Sequence, residues 1–194
     1  MKQATILAAC LMCLSFSVSA NSQIDNGIKF HNDSSQVNSS DLNQLLNEIL
    51  SMANLKTGFE LKEAKVLNIE ASMSHGKKYI LYNPAFIESL NSATKNNKWA
   101  IMTLLAHEIG HHMSGHTSRR GGNKLALELQ ADEFAGFIMQ KMGATLQQSQ
   151  NVMFYISKTE DSKTHPARSS RITAIEKGWV KATGLNETSA LVPK

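Results

Sequence analysis

The sequence predicts an α+β domain, mostly helical, with a small sheet. Three observations carry this. Apolar residues recur at helical spacing through most of residues 41–184. Only the stretch between residues 66 and 82 reads as strand. No internal repeat is visible, and 194 residues give room for one domain of ordinary size. With 42% hydrophobic and 19% charged residues, the chain has enough apolar side chains for a packed core. The formal charge of +4 is spread out, and Arg119-Arg120 is its only local basic cluster, too little for a nucleic-acid footprint.

The elements follow in order. Residues 1–20 have the form of a signal peptide: Lys2, an apolar run from Ala4 to Val18, and the small-residue site Val18-Ser19-Ala20. Cleavage after Ala20 would leave a periplasmic or secreted protein. A rival reading takes Leu7-Ala8-Ala9-Cys10 as a lipobox with Cys10 as a lipid anchor. The short stretch before Cys10 and the apolar residues after it weigh against that. Cleavage removes both cysteines, Cys10 and Cys13, so the core must hold without a disulfide, with a metal as a possible aid. No run after residue 20 is long enough to span a membrane.

Residues 21–39, rich in Asn and Ser, read as a flexible leader. From Asp41 a helix carries Leu42, Leu45, Leu46, Ile49 and Leu50 on one face, capped by Ser40 or Asp41. Residues 66–73 and 77–82 read as strands joined by a turn at Ser74-His75-Gly76. Asn83-Pro84 opens a short helix to about Ala93. Further helices are expected over 98–114, 123–142 and 145–158, with a polar loop at 115–122. A last helix begins at Pro166 and ends near Gly184. The folded domain is thus 40–184, with a tail at 185–194.

His107-Glu108-Ile109-Gly110-His111 is an H-E-x-x-H motif on the most apolar helix. Its two histidines lie about 40° apart and one turn along, so their rings converge on one metal ion. Glu108 flanks that face and is placed to take a proton from water activated by the metal. Chance would produce such a motif in roughly one chain in seventy of this composition. A third protein ligand is needed. His116 and Gly115 are each displaced by one residue from the metzincin pattern, and on a continuous helix His116 would face away from His107. His112 and His116 therefore read as solvent-facing or helix-end residues, as do His75 and His31. Glu128 is the better candidate. It shares a helix face with Asp132, so one acid can bind metal while the other holds a ligand histidine N–H. Spacing alone fits an exposed acidic face equally well. Glu133 reads as solvated surface.

These stretches, together with His165-Pro166, Arg171-Ile172 and Tyr79-Ile80-Leu81-Tyr82-Asn83-Pro84, resemble the HtpX and CAAX prenyl protease family of gluzincin metallopeptidases, in particular its short soluble members. The likeness spans roughly residues 41–180. It implies a zincin-like metallopeptidase domain and one zinc ion per chain, bound by His107, His111 and Glu128, with Glu108 as base. It also implies that Tyr79, Ile80, Leu81 and Tyr82 form an edge strand able to pair with an extended peptide. His165 stands between a helix N-cap role and, as the resemblance suggests, a donor to the oxyanion or a ligand closing the site. Arg171 either holds acidic groups near the site or forms a plain ion pair.

The expected function is a zinc endopeptidase acting on unfolded or extended polypeptides in the cell envelope. Two alternatives stand beside it: an amidase on peptidoglycan stem peptides, and a metal-sealed module that only binds partners.

Overall fold

The computed structural model describes residues 39–55, 58–118 and 123–184. The signal-peptide, lipid-anchor and tail readings, His31 and Arg119-Arg120 fall outside them, as does the leader apart from Ser39. Seven helices and a three-stranded sheet make up the described residues, a mostly helical α+β fold as the sequence predicts. Among the described residues no helix is long and apolar enough to cross a membrane.

Helix α1 (Ser39–Met52) buries the predicted face: Leu42, Leu45, Leu46, Ile49 and Leu50 are all in the core. Strands β2 (Ile69–Ser74) and β3 (Lys77–Tyr82) form the expected antiparallel hairpin. Its turn places His75 and Gly76 at φ of +49° and +76°, the mirror-image turn that matches strand twist.

Strand β1 (Phe59–Glu63) is an addition to the expected elements; its alternation covers only Phe59-Glu60-Leu61-Lys62, and Phe59 and Leu61 are its only partly shielded residues. It pairs parallel with β3, so the sheet order is β1-β3-β2. This corrects the substrate-edge reading of Tyr79, Ile80, Leu81 and Tyr82. They lie in the central strand, their backbone groups used by neighbours on both sides, and Ile80 and Tyr82 are core residues. The sheet edge beside the helices is β2. Ala71 N–H points away from β3, and in an antiparallel ladder Ile69 and Met73 share that outward direction.

Asn83 and Asn97 cap α2 (Pro84–Ala93) and α3 (Lys98–Met113) by accepting from Ala85 N–H and Trp99 N–H. Helix α3 is buried along most of its length, packed among the sheet, α1, α2 and α4 (Lys124–Lys141). Asn123 caps α4. The single helix expected over 145–158 is two: α5 (Leu146–Gln150), opened by a Thr145–Gln148 capping box, and α6 (Met153–Ile156). Between them the hydrogen bonds tighten to three-residue steps, Phe154 N–H to Asn151 and Tyr155 N–H to Val152, which turns buried Val152 and Met153 inward.

Helix α7 (Arg168–Thr183) starts two residues later than predicted. Ala167, not His165, is its N-cap residue, because Asp161 Oδ1 accepts Ala167 N–H at 2.6 Å and holds that residue extended. The helix ends on Gly184 in the left-handed conformation, as expected.

Two contacts set how closely the site helices approach. A Cβ added to Gly110 would stand 3.1 Å from Ala131 Cα, so α3 and α4 touch backbone to backbone beside the motif. On α4 and α7, a Cβ at Gly136 would run into the Ile175 carbonyl, and one at Gly178 into the Glu133 carbonyl. The pairing is reciprocal, each glycine admitting the other helix's backbone.

Candidate metal centre

The site forms where α3, α4 and α7 meet at the β2 edge. His107 and His111 project from one face of α3, and Glu128 faces them from the first turns of α4. His111 Nε2 lies 3.1 Å from His107 Nε2 and 3.3 Å from Glu128 Oε1, and His107 Nε2 lies 3.4 Å from Glu128 Oε2. Three ligands about 2.0–2.1 Å from a tetrahedral centre stand roughly 3.3 Å apart. The donor set therefore fits a single small divalent ion, and these three residues are the group among the described residues able to hold one.

Asp132, one turn along α4, is fully buried and accepts from His107 Nδ1–H at 2.8 Å. In the neutral ring that a metal ion requires, this bond puts the Nε2 lone pair on the side facing Glu128. Arg171 on α7 clamps the same carboxylate with two bonds of 2.7 Å, and its Nη2 lies 3.9 Å from Glu128 Oε2. Both roles considered for Arg171 are thus met by one side chain. Glu133 is not free surface: it pairs with Lys177 at 2.8 Å and Lys181 at 3.7 Å, tying α4 to α7.

Burial works against an imidazolium at His107, but the Asp132 carboxylate outweighs it, with Glu128 and Glu108 adding, and the metal-free ring is held up to about 10. Burial likewise pushes Glu128 and Asp132 upward and is overcome. The His107 and His111 hydrogen bonds keep Glu128 well below the usual carboxylate range, and His107 and Arg171 do the same for Asp132. Glu108 behaves differently. Its buried carboxyl is pushed up by desolvation, with the two histidines and the Ala71 N–H only partly offsetting this. Its Oε2 accepts from Ala71 N–H at 2.6 Å, which ties the expected base to the sheet edge.

An open cleft of about 470 Å³ runs past these groups, walled by β2 and the loop before it on one side and by Phe86, Leu127 and Ile156 elsewhere. His165 is half-exposed at its mouth, with Nε2 3.8 Å from Glu128 Oε2 and Nδ1 2.9 Å from the Thr164 hydroxyl.

Two histidines read as peripheral are not. His112 is buried, its Nε2 donating to the Tyr79 carbonyl at 2.9 Å and its Nδ1 3.1 Å from Thr117 Oγ1, so it braces α3 against β3. His116 lies against His111, Nδ1 to Nδ1 at 3.0 Å. The helix argument that turned it away fails because α3 ends at Met113. Gly115, at φ +71°, then reverses the chain and folds His116 back toward the site. A glycine directly after the motif helix was the available signal. The Ala71 N–H bond to Glu108 had no signal in the sequence.

The model of peptidase family M48 matches residues 121–178. The matched stretch contains Glu128, Asp132, His165 and Arg171, while His107, Glu108 and His111 precede it. The match supports a metallopeptidase and agrees with the resemblance read from the motifs. Neither the curated proteins nor the solved structures contain a match.

Proposed function

We propose that this chain is an exported zinc endopeptidase that cuts unfolded or extended polypeptides. The observation that carries the reading is the convergence of His107, His111 and Glu128 at tetrahedral spacing, beside a buried glutamate in an open cleft. Zinc suits two imidazoles and a carboxylate, and such a set leaves one coordination position open. A zinc ion held there would supply Lewis-acid activation of water and of the scissile carbonyl.

The chain's own groups do the rest. Glu108 takes the proton from the attacking water and returns it to the leaving amine, and its raised affinity for a proton suits both halves of that transfer. Asp132 keeps His107 in the tautomer that presents Nε2, and Arg171 keeps Asp132 ionised and in place. His165, with Thr164 at its Nδ1, presents Nε2–H to the carbonyl oxygen as negative charge develops.

The substrate pairs as an added strand, now on β2 rather than β3. The outward N–H and C=O of Ile69 and the outward C=O of Ala71 border the cleft, the Ala71 N–H being held by Glu108, and main-chain pairing of this kind reads extended shape more than side-chain identity. Residues 1–20 direct export. The test is metal content by mass spectrometry together with cleavage of unfolded casein by the wild type and Glu108→Gln. One zinc per chain in both, with cleavage lost only in the variant, is the expected result. A metal-free wild type, or a variant that cuts as fast, refutes the proposal.

A further inference from the structure

We infer that His116 is a positioning residue for the metal site, acting through His111 by a hydrogen-bonded relay that ends on Gln130. The inference rests on the proposed role of His111 as a ligand.

The relay has three members. His111 Nδ1 lies 3.0 Å from His116 Nδ1, and His116 Nε2 lies 3.1 Å from Gln130 Oε1. An amide oxygen only accepts, so His116 must carry its hydrogen on Nε2. In a neutral ring that leaves Nδ1 as an acceptor, and the proton between the two Nδ1 atoms then belongs to His111. A neutral His111 protonated on Nδ1 has its lone pair on Nε2, the atom that faces His107 Nε2 and Glu128 Oε1. Reversing the Gln130 amide would reverse every step and put a hydrogen on His111 Nε2, where a ligand needs a lone pair. One relay polarity is therefore compatible with metal, and bound metal selects it. The two ligand histidines are thus oriented by unlike partners: His107 by a buried carboxylate, His111 by a neutral imidazole.

The turn that carries His116 is built for this. Gly115 reverses the chain, and the one-turn helix His116–Ser118 is pinned by Thr117 Oγ1 to His112 Nδ1 at 3.1 Å and by Ser118 Oγ to Met73 Sδ at 3.5 Å. The ring is consequently held at a fixed angle to His111, with centroids 5.2 Å apart. Gln130 is exposed, so water can replace its oxygen, and most of the effect should reside in His116.

The test measures zinc affinity of the full exported chain by competition with a chromophoric chelator, in the wild type, His116→Ala, His116→Asn and Gln130→Glu. Partners of a ligand histidine typically alter affinity by about 10–100-fold. His116→Ala should still take up one zinc but bind it about tenfold or more weakly. His116→Asn places an amide oxygen near the lost Nδ1 and should recover most of that loss. Gln130→Glu keeps an acceptor and should bind as tightly as wild type or tighter. In the zinc-loaded protein, the His111 Nδ1–H resonance should be visible in the wild type and His116→Asn and broadened by water exchange in His116→Ala. A collapsed turn would not be rescued by asparagine. Equal affinity in wild type and His116→Ala, no rescue by asparagine, or weakened binding in Gln130→Glu overturns the inference while leaving the metal site intact. A wild type that binds no zinc refutes the site itself, and the inference with it.

Discussion

Gly178→Ala tests whether the close crossing of α4 and α7 is what assembles the centre. In a helix interior this change ordinarily stabilises by about 0.5–1 kcal/mol, because alanine loses less backbone entropy on folding. Here the added Cβ would stand 2.7 Å from the Glu133 carbonyl carbon and 2.9 Å from Phe137 N, and would overlap the Glu133 carbonyl oxygen. Real Cβ atoms essentially never come within 3.0 Å of other heavy atoms, and the obstacle is backbone that cannot swing aside. The helices must therefore part by on the order of 1 Å, a displacement of the overpacking kind that costs about 1–3 kcal/mol. Arg171 lies two turns from Gly178 on the same face. Moving α7 by that amount takes its 2.7 Å bonds to Asp132 beyond the roughly 3.2 Å limit of a good hydrogen bond. Loosening that buried pair adds to the loss, since leaving one such charge uncompensated costs about 3–5 kcal/mol. A net loss of about 3 kcal/mol corresponds to a Tm lowered by roughly 6–12 °C. Thermal unfolding followed by circular dichroism, in chelator so that metal binding does not contribute, reads the shift. Ser169→Ala, exposed on the same helix, is the control and should change little. A Gly178→Ala protein as stable as wild type, or more so, would refute the crossing as drawn.

Three further expectations concern the site and the sheet. Glu128→Ala should lose most bound zinc. Asp132→Ala should retain it about 10–100-fold more weakly, yet be the less stable of the two without metal, because it strands buried Arg171; equal zinc content in wild type and Glu128→Ala would remove Glu128 from the site. His112 has its proton affinity lowered mainly by burial, so the unfolded chain binds the proton more readily. Stability from this group is present above about pH 6.5 and is lost as pH falls from there toward the lower folded value. The urea midpoint at pH 7.5 minus that at pH 5.5 should therefore be more positive in wild type than in His112→Gln, because the opposite contributions of His107 and Glu108 are common to both proteins and cancel in the comparison; parallel profiles would count against it. Leu81→Pro should abolish folding and zinc uptake together, because Leu81 pairs with Glu70 in the central strand; a folded, zinc-loaded variant would return β3 to the edge.

Much of this protein is decided locally. The helix faces, the hairpin turn and the two histidines one turn apart depend on residues within a few positions of one another, and all were legible in the sequence. So was the Glu128–Asp132 pair, although spacing alone could not separate a ligand pair from an exposed acidic face. The interior position of Asp132, held by Arg171 from a helix 39 residues away, made that choice. Other features depended on contacts between distant segments. Strand β1 carries only a four-residue alternation, Phe59-Glu60-Leu61-Lys62, and it is the parallel pairing with β3 that makes it a strand; its presence converts β3 from edge to centre and gives β2 the cleft. His116 reaches His111 only because the chain reverses at Gly115, which helical periodicity cannot express. Glu108 meets Ala71 across 37 residues of sequence. Periodicity reports which face of an element is apolar, but the partner of that face, and the polar atoms the pairing brings within 3 Å, are fixed only when the elements pack.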